Sequence, residues 1–591
     1  MKAICRLLIS LIVIFLLMGC SKGKKINPAN ENVPNTAEVN NRLGEIEKTR
    51  AVEEQNQDSN GVSDDIVDDN KVDRYEGIEY LYKQKINIID DNYRNYYEIF
   101  VYSFYDSDGD GIGDIKGVIE KLDYINDGDP NTDTDLGFNG IWLMPIMPST
   151  TYHKYDVTDY YNIDPQYGTM EDFKNLLQEC EKRGIKLIID LVFNHTSAQH
   201  PWFKEAVTYL QGLKEGEQPD LEECPYVGYY HFTKDYEGGS GYHQVKNTKW
   251  YYEGVFWDQM PDLNLGNPKV REEIEKIAKY WLDLGVGGFR LDAVKEFYSG
   301  QKDKNVEVLQ WFTEYVASID EDAYIVGEAW ESKDAIASYY ESGITSLFNF
   351  PLAMYNGEIT KTARRLGPAT ASTFGKNLML MLAKYQENNP NFIDAPFISN
   401  HDTTRISAQC VNNEEQMKMA AGLLLTQGGS PFVYYGEEIG MNSSGDKDEN
   451  KRLPMQWSIT DQKGMTKKPA NADEVEQKFP PVDEQLENPL SLLNYYKRAI
   501  RIRNENPEIA RGEVSIIEEF SNEDILAIRK VYGDSEIVII YNIHTEASDL
   551  FLEDTDLKDC HIRGYLSVDG SEVTLQDGKL HMPKYSIVIL K

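Results

Sequence analysis

From about residue 95 onward, short apolar runs alternate with longer stretches whose apolar residues recur every three or four positions. The runs are YYEIFVYSF (96–104), GFNGIWLMP (137–145), IKLIIDLVF (185–193), GGFRLD (287–292), AYIVGEAW (323–330), TSLFNF (345–350), APFISNHD (395–402) and SPFVYYGEE (430–438). Near-continuous apolar strands separated by helices predict a parallel sheet covered on both faces. The helical stretches include 170–184 and 270–285; in the second, Ile274, Ile277, Trp281 and Leu284 share a face and Gly285 suits a C-terminal cap. Eight such units make an α/β fold of the (β/α)8 type, the TIM barrel, commonly ~250 residues and more with insertions. The segment after the third run lacks a clean helical repeat and is too long for a plain connection, so an inserted domain is expected there. After a last helix near 486–505, runs such as IVIIYNI (537–543) and YSIVILK (585–591) predict a C-terminal antiparallel β-sandwich. The barrel is thus assigned to 89–195 and 262–508, the insertion (B domain) to 196–261 and the sandwich to 509–591.

The start of the chain has another texture. Lys2 and Arg6 precede an apolar run from Leu7 to Met18, shorter than the ~20 residues a membrane-spanning helix needs, so residues 1–20 read as a signal peptide. Its end, Leu17-Met18-Gly19-Cys20, resembles the lipobox of bacterial lipoproteins, which implies lipidation at Cys20 and a protein anchored in the cell envelope, facing outside the cytoplasm. Residues 21–88 are acidic and poor in aliphatic runs, as a flexible tether is. The net charge of -38 over 591 residues argues against nucleic acid as a partner, which needs a basic surface. The remaining cysteines, Cys180, Cys224, Cys410 and Cys560, match no zinc spacing; disulfides and buried free thiols both stay open. A monomer is expected.

In a barrel of this kind the active site lies at the C-terminal ends of the strands. The third run ends in Asp190, Asn194 and His195, the fourth in Arg290 and Asp292, the fifth in Glu328 and the seventh in Asn400, His401 and Asp402. Packing requires none of these ionisable groups, and paired carboxylates on one rim suit glycoside cleavage, one as acid and the other as nucleophile. Strand side chains alternate faces, so Arg290 lies beside Asp292 and favours its charged form. Glu328, near other carboxylates, is expected to have a raised pKa and to serve as acid and then base. Asp402 can hold sugar hydroxyls, and His195 and His401 can donate to them. Separately, Asp106, Asp108, Asp110 and Asp114, with glycine between and the carbonyl of Ile112, follow the oxygen-ligand spacing of a cation loop, though one that follows a strand and lacks the twelfth-position Glu of an EF-hand.

The strings DLVFNH (190–195), GFRLDAVKE (288–296), GEAW (327–330) and FISNHD (397–402) resemble the four conserved regions of the α-amylase family of glycoside hydrolases, and MPDLN (260–264) resembles its fifth. The resemblance implies Asp292 as nucleophile, Glu328 as acid/base and Asp402 as transition-state stabiliser, with substrate contacts from Arg290, His195 and His401. It also implies Tyr155 as the stacking tyrosine at the cleaved sugar, with His153 nearby, and Lys295 on the leaving side, where Glu296 replaces a common His. It further implies a structural Ca2+ in the 106–114 loop. Ala293 and MPDLN lean toward an endo-acting enzyme on the α-1,4 bonds of starch or maltooligosaccharides. Neopullulanase or cyclodextrinase-like, oligo-1,6-glucosidase-like and transglycosylating relatives remain as alternatives, and a non-catalytic glucan-binding surface protein as a remote one.

Overall fold

The computed structural model describes residues 91–130, 132–236 and 241–591. The signal peptide, Cys20 and the 21–88 tether lie outside the described residues. Among those described, no helix is long and apolar enough to cross a membrane.

Strands β1 (Tyr96–Ile99), β2 (Gly140–Leu143) and β3 (Lys186–Leu191) open the barrel. Three short strands follow in the insertion: β4 (Phe232–Thr233), β5 (Tyr242–Gln244) and β6 (Tyr251–Glu253). The barrel resumes with β7 (Gly288–Leu291), β8 (Tyr324–Gly327), β9 (Ser346–Leu347) and β10 (Phe432–Tyr434). These pair in the parallel order β10-β1-β2-β3-β7-β8-β9. The seventh predicted stave does not form a regular strand. It is a single parallel bridge, Phe348 to Ala395, and the gap closes because Asn349 N donates to Ala395 O at 3.0 Å and Phe432 N to Pro396 O at 2.9 Å. Pro396 supplies no N–H, so a full ladder cannot run through it. The result is a closed (β/α)8 barrel.

Every residue of β1, β2, β7, β8 and β10 is buried, as two-sided cover by helices requires. The helix Pro268–Asp283 shows how that cover is built: Asn267 caps its first turn by accepting from Lys269 N, and Val270, Ile274, Ile277 and Trp281 face the sheet. Burying each such side chain is worth ~1.5–3 kcal/mol. Leu284 caps the helix and Gly285 beyond it takes φ +101°, which ends it. Gly288, at the start of β7, has φ +139°, and a Cβ there would lie 2.0 Å from Tyr324 O. Only glycine lets β7 and β8 approach closely enough to hold Arg290 in register with Val326.

The insertion differs from expectation in containing a regular helix, Pro201–Gly212. His200 caps it by accepting from Trp202 N, and Phe203, Ala206 and Leu210 bury one face. Trp202, Phe203, Ala206, Val207 and Leu210 recur every three or four positions, and proline at the first helical position is a start signal, so this helix was legible in the sequence. At the other end of the chain, β11 (Glu513–Ile516), β12 (Ile525–Tyr532), β13 (Ser535–Asn542), β14 (Ser548–Phe551), β15 (Ile562–Ser567), β16 (Thr574–Gln576), β17 (Lys579–Met582) and β18 (Ser586–Leu590) form antiparallel sheets ordered β11-β12-β13-β18-β15 and β14-β17-β16. Val538, Ile540, Leu580 and Val588 sit in the core that joins them. The four described cysteines are all free.

Candidate active site

Asp292, Glu328 and Asp402 open onto one cleft of about 730 Å3 at the C-terminal ends of the barrel strands, a volume usual for a small-ligand site. His153, Tyr155, His195 and Lys295 also line it. Arg290 and His401 do not. Both are fully buried and contact the carboxylates that line it.

Arg290 is the hub. Its Nη1 donates to Asp292 Oδ1 at 2.7 Å and to both oxygens of Asp190 at 2.9 Å, while its Nη2 donates to Glu328 Oε2. One guanidinium thus spans the two groups expected to act as nucleophile and acid. The register explains it: Asp190, Arg290 and Val326 are paired neighbours on three adjacent strands, and Asp292 and Glu328 follow just beyond the strand ends. Trp142 lies under the guanidinium, 5.2 Å from ring centre to carbon.

Burial pushes the Glu328 carboxyl up to about 7, assisted by Asp292 and Asp402 against the pull of Arg290. The sequence-based direction is right, but burial, not neighbouring charge, is its main cause. Burial likewise raises Asp190 to about 7. Its Oδ2 accepts from Tyr155 Oη at 3.0 Å.

Asp402 is held the opposite way. Burial alone would raise its pKa, but His401 and Arg452 hold it well below the usual carboxylate range. Arg452 Nη2 donates to Asp402 Oδ1 at 2.7 Å, and His401 Nε2 lies 2.9 Å from Asp402 Oδ2. His401 is itself sandwiched, with Nδ1 2.6 Å from Glu98 Oε1. Burial would lower the imidazole, yet Asp402 and Glu98 bring it up to about 9, so it is charged at neutral pH. Tyr155 stacks on His401 at 5.6 Å, and its hydroxyl shares a 2.8 Å contact with His401 Nε2.

The two other cleft histidines, His153 and His195, are neutral. Burial and Arg452 take His153 down to about 4, and burial lowers His195. His195 Nε2 is buried with no close hydrogen-bond partner among the described residues, while the Tyr155 backbone faces the ring. Lys295 sits within 3.8 Å of Glu296 and 3.9 Å of Glu331. Beside Asp292, Ala293 adopts the left-handed conformation (φ 47°, ψ 45°); its N–H then reaches Glu328 Oε2 at 3.3 Å and its methyl lines the cleft. At the rim stand three large, partly exposed aromatics: Phe256 and Trp257 from the insertion and Trp330, which stacks on Phe350 at 5.0 Å.

Sequence reasoning passed over Glu98 and Arg452. Glu98 carried a usable signal, a lone charge inside the apolar run of β1, the same cue that singles out Arg290. Arg452 lies in the long loop after β10, where no periodicity marks it.

The acidic loop is a separate feature. Asp106, Asp108 and Asp114 bring carboxylate oxygens within 4.8 Å of one another, with Asp106 and Asp114 buried. This donor set of hard oxygens fits a calcium-sized cation. Asp110 is not part of that cluster; its carboxylate accepts from Ile112 N at 2.7 Å. Asp106 is oriented by the N–H groups of Gly109 and Gly111, both at 2.7 Å, and Asp114 by Ser107 and Gly117.

Residues 98–512 match the family described as "Alpha amylase, catalytic domain". With this barrel, insertion and C-terminal β domain, the chain belongs to the α-amylase family of glycoside hydrolases and is an enzyme of that kind. It is 37% identical to alpha-amylase 3 of Dictyoglomus thermophilum over 84% of this chain and 93% of that protein. It is 30% identical to an oligo-1,6-glucosidase of Parageobacillus thermoglucosidasius over 76% of this chain and 89% of that protein. Among solved structures, Eubacterium rectale Amy13B is similar at 45% identity, with a TM-score of 0.81, covering 85% of this chain and 96% of that one.

Proposed function

We propose that the protein hydrolyses internal α-1,4 bonds of starch or maltooligosaccharides by double displacement, with retention of configuration. One observation carries the reading: Arg290 bridges Asp292 and Glu328 on a cleft that Asp402 also faces. A single guanidinium's span suits the short ~5–5.5 Å carboxyl separation of retaining enzymes better than the wider inverting gap.

In this mechanism Asp292, held in place by Arg290, attacks the anomeric carbon while Glu328 gives its proton to the departing glycosidic oxygen. The bond from Asp292 to the sugar forms as the glycosidic bond breaks. Glu328, now a carboxylate, takes a proton from water, which attacks the same carbon and releases Asp292. Asp402, fixed by Arg452 and charged His401, holds sugar hydroxyls and favours the flattened ring. Tyr155 offers an apolar face to the sugar, and His195 and His153, both neutral, serve hydroxyls. Lys295 serves the leaving side.

Asp106, Asp108 and Asp114 would hold a structural Ca2+, which stiffens the loop after β1 and takes no part in bond cleavage. At the N-terminus, a lipid on Cys20 would tether the enzyme to the cell envelope, facing outside the cytoplasm where polymeric glucan is met. The enzyme acts as a monomer.

The decisive assay is release of reducing ends from starch, with the anomer of the product followed by NMR. Activity that disappears in Asp292→Asn and yields the α-anomer supports the reading. Preference for isomaltose or pullulan over amylose would move the enzyme to the 1,6-acting or neopullulanase-like alternatives. Binding to starch with no hydrolysis would leave a glucan-binding protein.

A further inference from the structure

The insertion carries large aromatic residues that the core does not absorb. Its sheet has the order β4-β6-β5. On one face Phe232, Tyr252 and His243 are paired across the strands, and Phe203 of the helix below packs on Phe232 and Tyr252. Side chains alternate along a strand, so the other face presents Thr233, Tyr251 and Gln244 in one row and Glu253 opposite Tyr242 in the next. Tyr251 and Tyr242 are partly exposed and belong to neither hydrophobic core. The ring of Tyr236 leans on both, 4.6 Å from Tyr251 and 5.6 Å from Tyr242.

This face leads into the cleft. β6 runs directly into Gly254-Val255-Phe256-Trp257, whose last three residues are 36%, 50% and 46% exposed. Gly254 N donates to Gly241 O at 2.8 Å, which joins that turn to the start of β5, and Phe256 and Trp257 form part of the cleft wall. Exposed apolar side chains joined into a patch and flanked by polar groups mark a binding surface rather than ordinary surface scatter. Flat rings interleaved with Gln244 and Glu253 suit a ligand that is apolar on its ring faces and hydroxylated at its edges.

We propose that the outer face of β5 and β6 is a remote glucan-binding track, on which Tyr242 and Tyr251 stack against glucose units of a chain whose reacting segment lies in the cleft. The proposal rests on a glucan being the substrate. Its ligand is a linear α-glucan too long to be held by the cleft alone. The track adds affinity for long chains and leaves cleavage of short ones unchanged.

The test uses the full chain with Tyr242→Ser and Tyr251→Ser combined, and a second form with Tyr251→Trp, which restores a flat ring. Thermal melts confirm folding. The expected result is a roughly five- to tenfold rise in KM on amylose for the serine pair, as the loss of two stacked rings implies. On maltotetraose kcat/KM stays within twofold of the parent, and Tyr251→Trp behaves as the parent on both substrates. Equal losses on both substrates, or no loss on amylose, overturn the track. If the parent cleaves no glucan of any length, the substrate reading fails first, and amylose affinity of the parent against the serine pair then decides the track by itself. Sedimentation of the parent covers the other occupant: a dimer abolished by the serine pair would make this face a contact between copies and overturn the proposal.

Discussion

The cleft and the 106–114 loop each gather three aspartate or glutamate side chains, yet they handle negative charge differently. In the cleft, Asp292, Glu328 and Asp402 are held by side-chain cations, Arg290, His401 and Arg452. In the loop, Asp106 and Asp114 are held by neutral donors, backbone N–H groups and the Ser107 hydroxyl. Cations from distant strands can tune each carboxyl separately, one up to about 7 and another far down. Neutral donors fix position only. The first arrangement suits a reaction in which protons move, the second a fixed ion.

Substitutions that treat the two regions alike test this contrast. Asp292→Asn removes the proposed nucleophile and is expected to cut kcat on starch by a thousandfold or more, roughly the scale of losing a covalent catalyst. Asp106→Asn leaves kcat within about threefold if the loop only positions. Next in size, Glu328→Gln lowers kcat by about 10²–10⁴. Because Glu328 must be protonated to act as acid, parent activity falls as pH rises through about 7. That alkaline limb is expected to vanish from the residual activity of Glu328→Gln; its persistence would assign the limb to another group. Arg452→Ala removes a charged hydrogen bond of ~1.5–3 kcal/mol from Asp402, and kcat is expected to drop by roughly ten- to a hundredfold. Its acid limb shifts upward as Asp402 becomes easier to protonate, which a pH–rate profile reads directly. The smallest effect belongs to the loop: chelation, or Asp106→Ala, lowers Tm by a few degrees, and added Ca2+ restores it after chelation but not in the variant.

Much of this was legible because barrel strands advertise themselves. A strand buried on both faces reads as an unbroken apolar run, and a charge inside or just after such a run stands out, as Arg290, Asp292 and Glu328 do. Glu98 sends the same signal and could have been read from it. The seventh stave misled because Pro396 forbids the ladder that its apolar neighbours suggest. Arg452 was silent: a loop residue is fixed by the fold's closure, here the meeting of the loop after β10 with Asp402, and nothing in its local sequence encodes that meeting. His401 and Arg290 were legible as site residues, while their burial behind the carboxylates follows only from three-dimensional packing.

The backward kink at Ala293 carries a cost that heat-tolerance selection would find. An alanine held left-handed forfeits about 1 kcal/mol that glycine would not. Ala293→Gly therefore offers an easy gain in melting temperature, but it would loosen the turn that follows Asp292. Laboratory evolution screened on survival alone should collect that change early, and evolution screened on turnover should reject it.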